Sequence, residues 1–171
     1  MAAITTTYLE MTSPAALRAK TAACGLHVVE AEIKQFAYNR FLYQLVGRPW
    51  QWTDKLAWTD DAWRAYAEAD NLRTWVGYAR GAPAGYFELQ QQAAGSVEIA
   101  YFGLAPRFIG RGFGGYLLSQ AVSAAWAWAG TRRVWVHTCT LDHPHALPNY
   151  LARGFTIYQH SLADTNPIGH G

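Results

Sequence analysis

Four glycines crowd one short stretch, Gly110-Arg111-Gly112-Phe113-Gly114-Gly115, and lead directly into an apolar-periodic run. Glycine inside a helix costs about 1 kcal/mol relative to alanine, so three of them around a first turn give up about 3 kcal/mol of local stability. What such a turn gains is a row of bare backbone N–H groups at the positive end of a helix dipole, a seat for an anion and typically for a phosphate. The plain alternative is a turn that needs only positive φ angles and close packing of helix on sheet, for which one or two glycines suffice. The letters also satisfy the dinucleotide pattern G-x-G-x-x-G. That pattern should open a parallel βαβ unit with an acid closing the next strand about 20 residues on. The next strand here, Arg133-Val134-Trp135-Val136-His137, has no acid at its end. No Lys-Ser/Thr pair follows the glycines either, which excludes a Walker loop.

Two other groups of residues could carry chemistry. His137, Cys139, His143 and His145 offer metal-ligating atoms, but His-x-Cys-x-x-x-His-x-His across a strand-to-helix turn is not a zinc spacing, so they read as lining a strand end or capping a helix, and no metal is expected. Residues 48–63 hold four of the eight tryptophans. Clustered tryptophan in a loop is either structural packing or the aromatic wall of a substrate pocket.

The elements that must position these groups follow from periodicity. Residues 4–11 alternate as a strand, and the segment from there to Gly25 reads as a linker. A second strand is expected over 27–33 and a helix over 35–46, with Phe36, Phe41, Leu42 and Leu45 at helical spacing and Gly47 as its stop. Thr59 or Asp60 can cap a helix through about Ala69. Strands over 72–80, 84–91 and 96–104, joined at Gly81-Ala82-Pro83 and Ala94-Gly95, predict an antiparallel meander. The helix after the glycines is expected to run to about Ala129, with Phe113, Leu117, Ala121 and Trp128 on one stripe. A strand over 132–140 follows, then a short helix capped by Asp142 with Pro144 in its first turn, then a strand over 155–160. Residues 163–171 read as a loose tail. The fold class is therefore α/β (α+β), a mixed, mostly antiparallel sheet with helices on both faces and an extra N-terminal strand, in one domain over 1–171 with its core at about 26–160.

Composition bounds the partners. With 51% hydrophobic and 15% charged residues the chain folds as a globular unit, and 14 basic against 12 acidic residues give no polyelectrolyte character for nucleic acid or an anionic membrane. No apolar run approaches 18 residues, no signal-peptide pattern follows Met1, and Cys24 and Cys139 are too few for a disulfide framework, so a cytoplasmic location is expected. A homodimer stays open.

In element order over about 26–160, and in specific motifs over 97–155, the chain resembles the GNAT superfamily of acyl-CoA-dependent N-acyltransferases. That family carries Gln/Arg-x-x-Gly-x-Gly/Ala between its fourth strand and third helix, with amides that hold the pyrophosphate of coenzyme A. Ile109-Gly110-Arg111-Gly112-Phe113-Gly114 stands there, with Ile109 in place of Gln or Arg. The resemblance thus implies acetyl-CoA as co-substrate, held by Ile109, Gly110, Arg111, Gly112, Phe113, Gly114 and Gly115, with Arg107 or Arg111 making up for the missing side chain at 109. It places a catalytic glutamate at Glu98, six residues before Leu104, and pairs the pantetheine arm with the backbone of Phe102, Gly103 and Leu104. Ala146-Leu147-Pro148-Asn149-Tyr150-Leu151-Ala152-Arg153-Gly154-Phe155 resembles the family's Ala-x-x-x-Tyr-x-x-x-Gly-Phe, whose tyrosine sits beside the thioester sulfur; His143 falls at a further coenzyme position. The family's usual seventh strand is not evident, and the N-terminal strand stands in for it.

Acyl transfer to an amine needs the amine deprotonated, the carbonyl oxygen stabilised and the departing thiolate protonated. An alkyl amine is mostly cationic at neutral pH, so a carboxylate acting directly or through water is the natural base, with Glu98 the first choice and Glu88 the second. Strand alternation puts Glu98, Ala100 and Phe102 on one face and Val97, Ile99 and Tyr101 on the other, and a carboxylate costly to bury should face the substrate slot. The Tyr150 phenol can protonate the thiolate. The acceptor is then a primary amine of a small molecule or peptide. Two other classes compete: a coenzyme A-binding module without catalysis, and an aromatic-rich domain whose tryptophans hold a ligand; a titration with acetyl-CoA separates the second from the rest.

Overall fold

The chain runs β1 (Ile4–Met11), β2 (Leu26–Glu30), α1 (Phe36–Gly47), α2 (Asp60–Ala67), β3 (Leu72–Ala79), β4 (Ala82–Gln91), β5 (Ser96–Leu104), α3 (Phe113–Ala127), β6 (Arg133–Cys139), α4 (Ala146–Ala152) and β7 (Thr156–Ala163) in a computed structural model that describes residues 3–163. The strands make one sheet ordered β2-β3-β4-β5-β6-β1-β7. Every neighbouring pair is antiparallel except β5 with β6. A parallel pair needs a crossover, and α3 supplies it. β1 lies between β6 and β7, so the N-terminal strand fills the place left for a missing seventh strand. Residue 163, expected in the loose tail, closes β7; the rest of that tail lies outside the described residues.

The sheet separates two cores of different character. On one side α3 packs Leu117, Leu118, Ala121, Val122 and Ala125 against Leu9, Phe87, Leu89, Val97, Ile99 and Val136, a layer whose centre is mainly aliphatic. On the other, α1 and α2 bring Leu42, Tyr43, Val46, Trp52 and Trp63 onto Tyr86 and Tyr101, a layer of aromatic rings. Thr59 caps α2, its hydroxyl accepting from the Ala62 N–H at 3.2 Å, as its position before the apolar run predicts. Between β3 and β4, Arg80 (φ 50) and Gly81 (φ 86) form the two-residue turn whose left-handed backbone matches strand twist.

Three expectations are corrected. β5 carries a bulge: Glu88 pairs with Tyr101 but Leu89 with Ile99, so Ala100 is the extra residue. One inserted residue shifts the two-residue period, and as a result Ala100 and Tyr101 both join the aromatic layer with α1 while Phe102 turns to the α3 side. Ala100 and Phe102 do not share a face. Secondly, Asp142 caps no helix; its carboxylate accepts from the Thr138 hydroxyl (2.6 Å) and the Cys139 N–H (3.0 Å), closing the end of β6, and α4 begins at Ala146, past Pro144, directly after His145, which gives it no side-chain cap. Thirdly, residues 12–25 are no linker but a strap laid across α3. The Arg18 N–H donates to the Arg153 carbonyl (2.9 Å), the Lys20 N–H to Ser119 Oγ (2.8 Å), and the Lys20 ammonium to the Gly112 carbonyl (2.8 Å).

Ser119 is the buried tether of that strap, accepting from Lys20 while its own hydroxyl donates to the Gly115 carbonyl at 2.7 Å. Ser119→Ala leaves the Lys20 amide without its acceptor and should cost about 1 kcal/mol in urea unfolding, with faster limited proteolysis within residues 12–25; unchanged cleavage there would mean that the strap is held by other contacts.

Candidate active site

β5 and β6 stay paired over only three positions, Ser96 with Arg133, Val97 with Val134 and Glu98 with Trp135. Beyond Glu98 the two strands part, and a cavity of about 710 Å³ opens there. Four segments wall it: the end of β5 (Ala100, Tyr101, Phe102, Gly103, Leu104), the glycine turn (Ile109, Gly110, Gly112, Phe113, Gly114, Gly115), the loop after α1 (Trp50, Trp52), and the run from β6 into α4 (His137, Asp142, His143, His145, Asn149, Tyr150). The tryptophan-rich loop therefore divides its work. Trp50 and Trp52 face the cavity, while Trp58 and Trp63 pack edge to face with each other and with Tyr66 under α2.

The glycine turn has the features that favour an anion. Gly110 (φ +82) and Gly112 (φ +83) take the left-handed backbone that side chains rarely adopt, and Gly112 is the N-cap of α3 with no side-chain hydrogen bond and no acid in the first turn. The first-turn N–H groups therefore have no side-chain partner, and the helix dipole adds positive potential. The neighbourhood adds more. A Cβ on Gly115 would lie 2.6 Å from Arg153 Nη1 and 2.9 Å from Lys20 Cδ, so these two cations crowd the positive end of α3. Like signs there are unfavourable until an anion joins them. Arg107 and Arg111, expected to make up for Ile109, instead line a second groove with Arg80, and Arg111 does not wall the cavity. Lys20 and Arg153 are the cations beside the turn.

Glu98 and Tyr150 meet the cavity differently. Tyr150 walls it, its ring packed on Phe102 (6.2 Å between centroids) and Phe155 (5.9 Å). Burial, and then the charge of Asp142, push its phenol well above the ordinary value, so the hydroxyl keeps its proton. Glu98, expected to face the slot, has 0% exposure and does not line the cavity. One oxygen, Oε2, accepts from Gln92 Nε2 at 2.8 Å, and Gln92 in turn accepts from the Trp135 indole at 3.0 Å. The other, Oε1, lies 3.5 Å from Nδ1 of His137, which does wall the cavity. His137, read from the sequence as lining a strand end or capping a helix and given no catalytic role there, lines the cavity two residues beyond the β6 partner of Glu98. His143 also walls the cavity, edge-on to Trp50 at 4.8 Å, its Nδ1 accepting from the His145 N–H at 3.0 Å; burial and then His145 hold its imidazole below the usual value.

Behind Tyr101 the aromatic layer encloses a polar network. Lys55, only 3% exposed, donates to Tyr101 Oη (3.0 Å), sits 3.3 Å from Asp54 Oδ2, and lies over the rings of Trp58, Tyr66 and Tyr101 at 4.2, 4.6 and 4.9 Å. Glu88, the second candidate base, belongs to this layer and not to the cavity: it accepts from Asn39 Nδ2 (2.8 Å) and the Tyr66 hydroxyl (2.5 Å), and burial raises its pKa despite both bonds. Among the described residues no three His, Cys, Asp or Glu side chains are grouped to hold a metal, and no helix is long and apolar enough to cross a membrane.

Residues 39–155 match the model of the Acetyltransferase (GNAT) family. Among solved structures, the GCN5-related N-acetyltransferase from Sphaerobacter thermophilus matches with a TM-score of 0.70 at 17% identity, over 95% of this chain and 51% of that one. The GCN5-related N-acetyltransferase from Kribbella flavida gives 0.66 at 15% identity, over 96% and 61%. The IAA acetyltransferase from Bacillus cereus ATCC 14579 gives 0.57 at 23% identity, over 78% and 79%. At these identities the likeness is one of fold. The chain spans about half to three fifths of the length of the Sphaerobacter and Kribbella proteins. No curated protein matches it.

Burial raises the phenols of Tyr38, Tyr43, Tyr66, Tyr86, Tyr101 and Tyr150 above their ordinary range, six of the ten tyrosines. The unfolded chain ionises them near pH 10, so between that value and the higher folded ones the native state holds more protons and stability falls as pH rises. Ultraviolet titration of the native protein to about pH 11 should therefore detect no more than four ionising tyrosines, the rest appearing only on unfolding; six or more titrating reversibly in the folded state would contradict the burial of this layer.

Proposed function

The chain belongs to the GNAT family of acetyltransferases, and on that premise we propose that it transfers an acetyl group directly from acetyl-CoA to a primary amine of a small molecule or peptide in the cytoplasm. The observation that carries the reading is the cavity itself, which joins an anion-ready helix start to a gap between two strands and to a buried, protonated phenol. The residues fit the coenzyme. Its pyrophosphate suits the bare amides of Gly110, Gly112, Gly114 and Gly115, with Lys20 and Arg153 adjoining in place of a long side chain at Ile109. Ile99 to Leu104 have β4 on one side and no strand on the other once β6 has turned away, so Phe102, Gly103 and Leu104 can offer backbone groups to the pantetheine amides, as a further strand would.

Each chemical step then has a residue. Backbone N–H groups at the end of β5 meet the oxyanion. Tyr150 protonates the departing thiolate: its ring packs on Phe102 and its hydroxyl stays neutral in surroundings where a thiolate is poorly solvated. Glu98 supplies the negative charge that draws the proton from the acceptor ammonium. Trp50 and Trp52 give the acceptor a flat apolar wall.

Two measurements test this. Gly112→Val places a side chain where φ is +83 and disturbs the amide row, so acetyl-CoA should bind the folded variant at least ~10-fold more weakly by calorimetry, about 1.4 kcal/mol; full affinity would move the coenzyme elsewhere. Tyr150→Phe removes only the hydroxyl. Its kcat should fall roughly 10- to 1000-fold with acetyl-CoA affinity near that of the wild type, whereas equal turnover would leave water as the acid.

A further inference from the structure

Building on the acyl-transfer reading, we infer that His137 is the residue that takes the proton from the acceptor amine, and that Glu98 acts through it by holding the imidazole and its charge. A general base must come within hydrogen-bond reach of the proton it removes. Glu98 has 0% exposure and does not line the cavity, whereas His137 is among the residues that wall it, with its Nδ1 3.5 Å from the carboxylate. The position is set by the sheet. Glu98 and Trp135 form the last β5–β6 pair, and His137, two residues further on the same face of β6, is the first side chain on that face inside the parting.

The carboxylate is arranged for this partner. Gln92 and Trp135 fix Oε2 through a chain of two hydrogen bonds, and Oε1 receives no other hydrogen bond, so its neighbour is Nδ1 of His137 at 3.5 Å. A buried carboxylate with one oxygen so placed is costly unless a proton comes to it. With the imidazole proton on Nδ1, facing Glu98, the ring turns Nε2 away from the carboxylate as an acceptor, and the carboxylate stabilises the imidazolium that forms. Trp135 (6.0 Å between centroids) and Tyr8 of β1 (5.6 Å) hold the ring from either side.

The other titratable groups are less suited. Glu98 on β5 and Tyr8 on β1 are titratable groups that pack on the ring. Across the cavity, Asp142 is engaged by Thr138 and Cys139, Tyr101 donates to Asp54, and Tyr150 is held protonated. His143 has its Nδ1 occupied by the His145 N–H and lies against Trp50, and His145 adjoins it.

The acceptor ammonium gives one proton to His137 Nε2, and the freed lone pair forms the C–N bond at the thioester carbonyl carbon. As the oxyanion collapses the C–S bond breaks; the thiolate takes the Tyr150 proton, and Tyr150 regains one from the nitrogen, which carries one too many. His137 then gives its proton to water. One acetyl group is transferred and one proton released.

The test measures kcat/KM against pH with 2-phenylethylamine, tryptamine, putrescine and a short peptide as acceptors, alongside acetyl-CoA affinity by calorimetry. His137→Gln should lower kcat/KM about 100-fold or more and abolish the acid limb of the profile while acetyl-CoA still binds, and added imidazole should restore part of the activity to His137→Ala. Glu98→Gln should lower kcat/KM about 10-fold and keep an acid limb, because it leaves the imidazole in place. His143→Gln should keep the limb where it is. If His137→Gln retains the limb and Glu98→Gln or His143→Gln abolishes it, the proposal is wrong and the acyl-transfer reading stands. If the wild type binds no acetyl-CoA, or binds it and acetylates none of the acceptors, the reading itself falls and this assignment with it.

Discussion

The parting of β5 from β6 after the Glu98–Trp135 pair is the constraint on which the rest of the molecule depends. A parallel pair that continued would satisfy its backbone groups and close the sheet, leaving no cavity. Three features keep it open. The Ala100 bulge adds a residue to β5 just past the last pair, and bulges increase local twist. β6 finds its partner on the other side, in β1, over Met11 to Thr6. The crossover through α3 begins with a turn of glycines whose first-turn amides end at the same opening. One break in a ladder thus brings together free strand backbone, a helix start and the side chains of β6.

The two faces of the sheet serve this gap in different ways. The α3 face is a closely buried base, with Leu117, Leu118, Ala121, Val122 and Ala125 at 0% exposure. The α1–α2 face is aromatic and polar, and Lys55, Asp54, Glu88, Asn39 and the tyrosine hydroxyls satisfy one another there. Such a layer adds little net stability, because desolvating the charges offsets their attraction, but it fixes side chains in one arrangement. It also couples stability to pH. Glu88 is raised by burial, so between the unfolded carboxylate value and its own the folded chain holds the extra proton, and the stability that this confers is lost as pH rises through that window.

Much of this was legible in the residues. Periodicity located all seven strands, and the glycine content marked the turn that starts α3. Spacing within motifs that resemble the family's singled out Glu98 and Tyr150, of which Tyr150 walls the cavity and Glu98 does not. What stayed hidden depends on contacts between distant segments. A single bulge at Ala100 reversed the faces of Tyr101 and Phe102, and nothing in alternating letters announces an insertion. The strap over residues 12–25 has no apolar period; it is held by backbone hydrogen bonds to Arg153 and Ser119, and so reads as a linker. Its consequence, Lys20 beside the glycine turn, was equally out of reach, and the nearer arginines in sequence, Arg107 and Arg111, line another groove. That His137 stands beside Glu98 became visible only with the β5–β6 register.

Hydrogen exchange with and without acetyl-CoA tests the central claim most directly, because it reads the amides themselves and needs neither a variant nor a known acceptor. Coenzyme seated in the parted strands should slow exchange at residues 110–115 and at Phe102 to Leu104, with little change in β2, β3 or β7. Protection confined to the groove of Arg80, Arg107 and Arg111, or none at saturating acetyl-CoA, would contradict it.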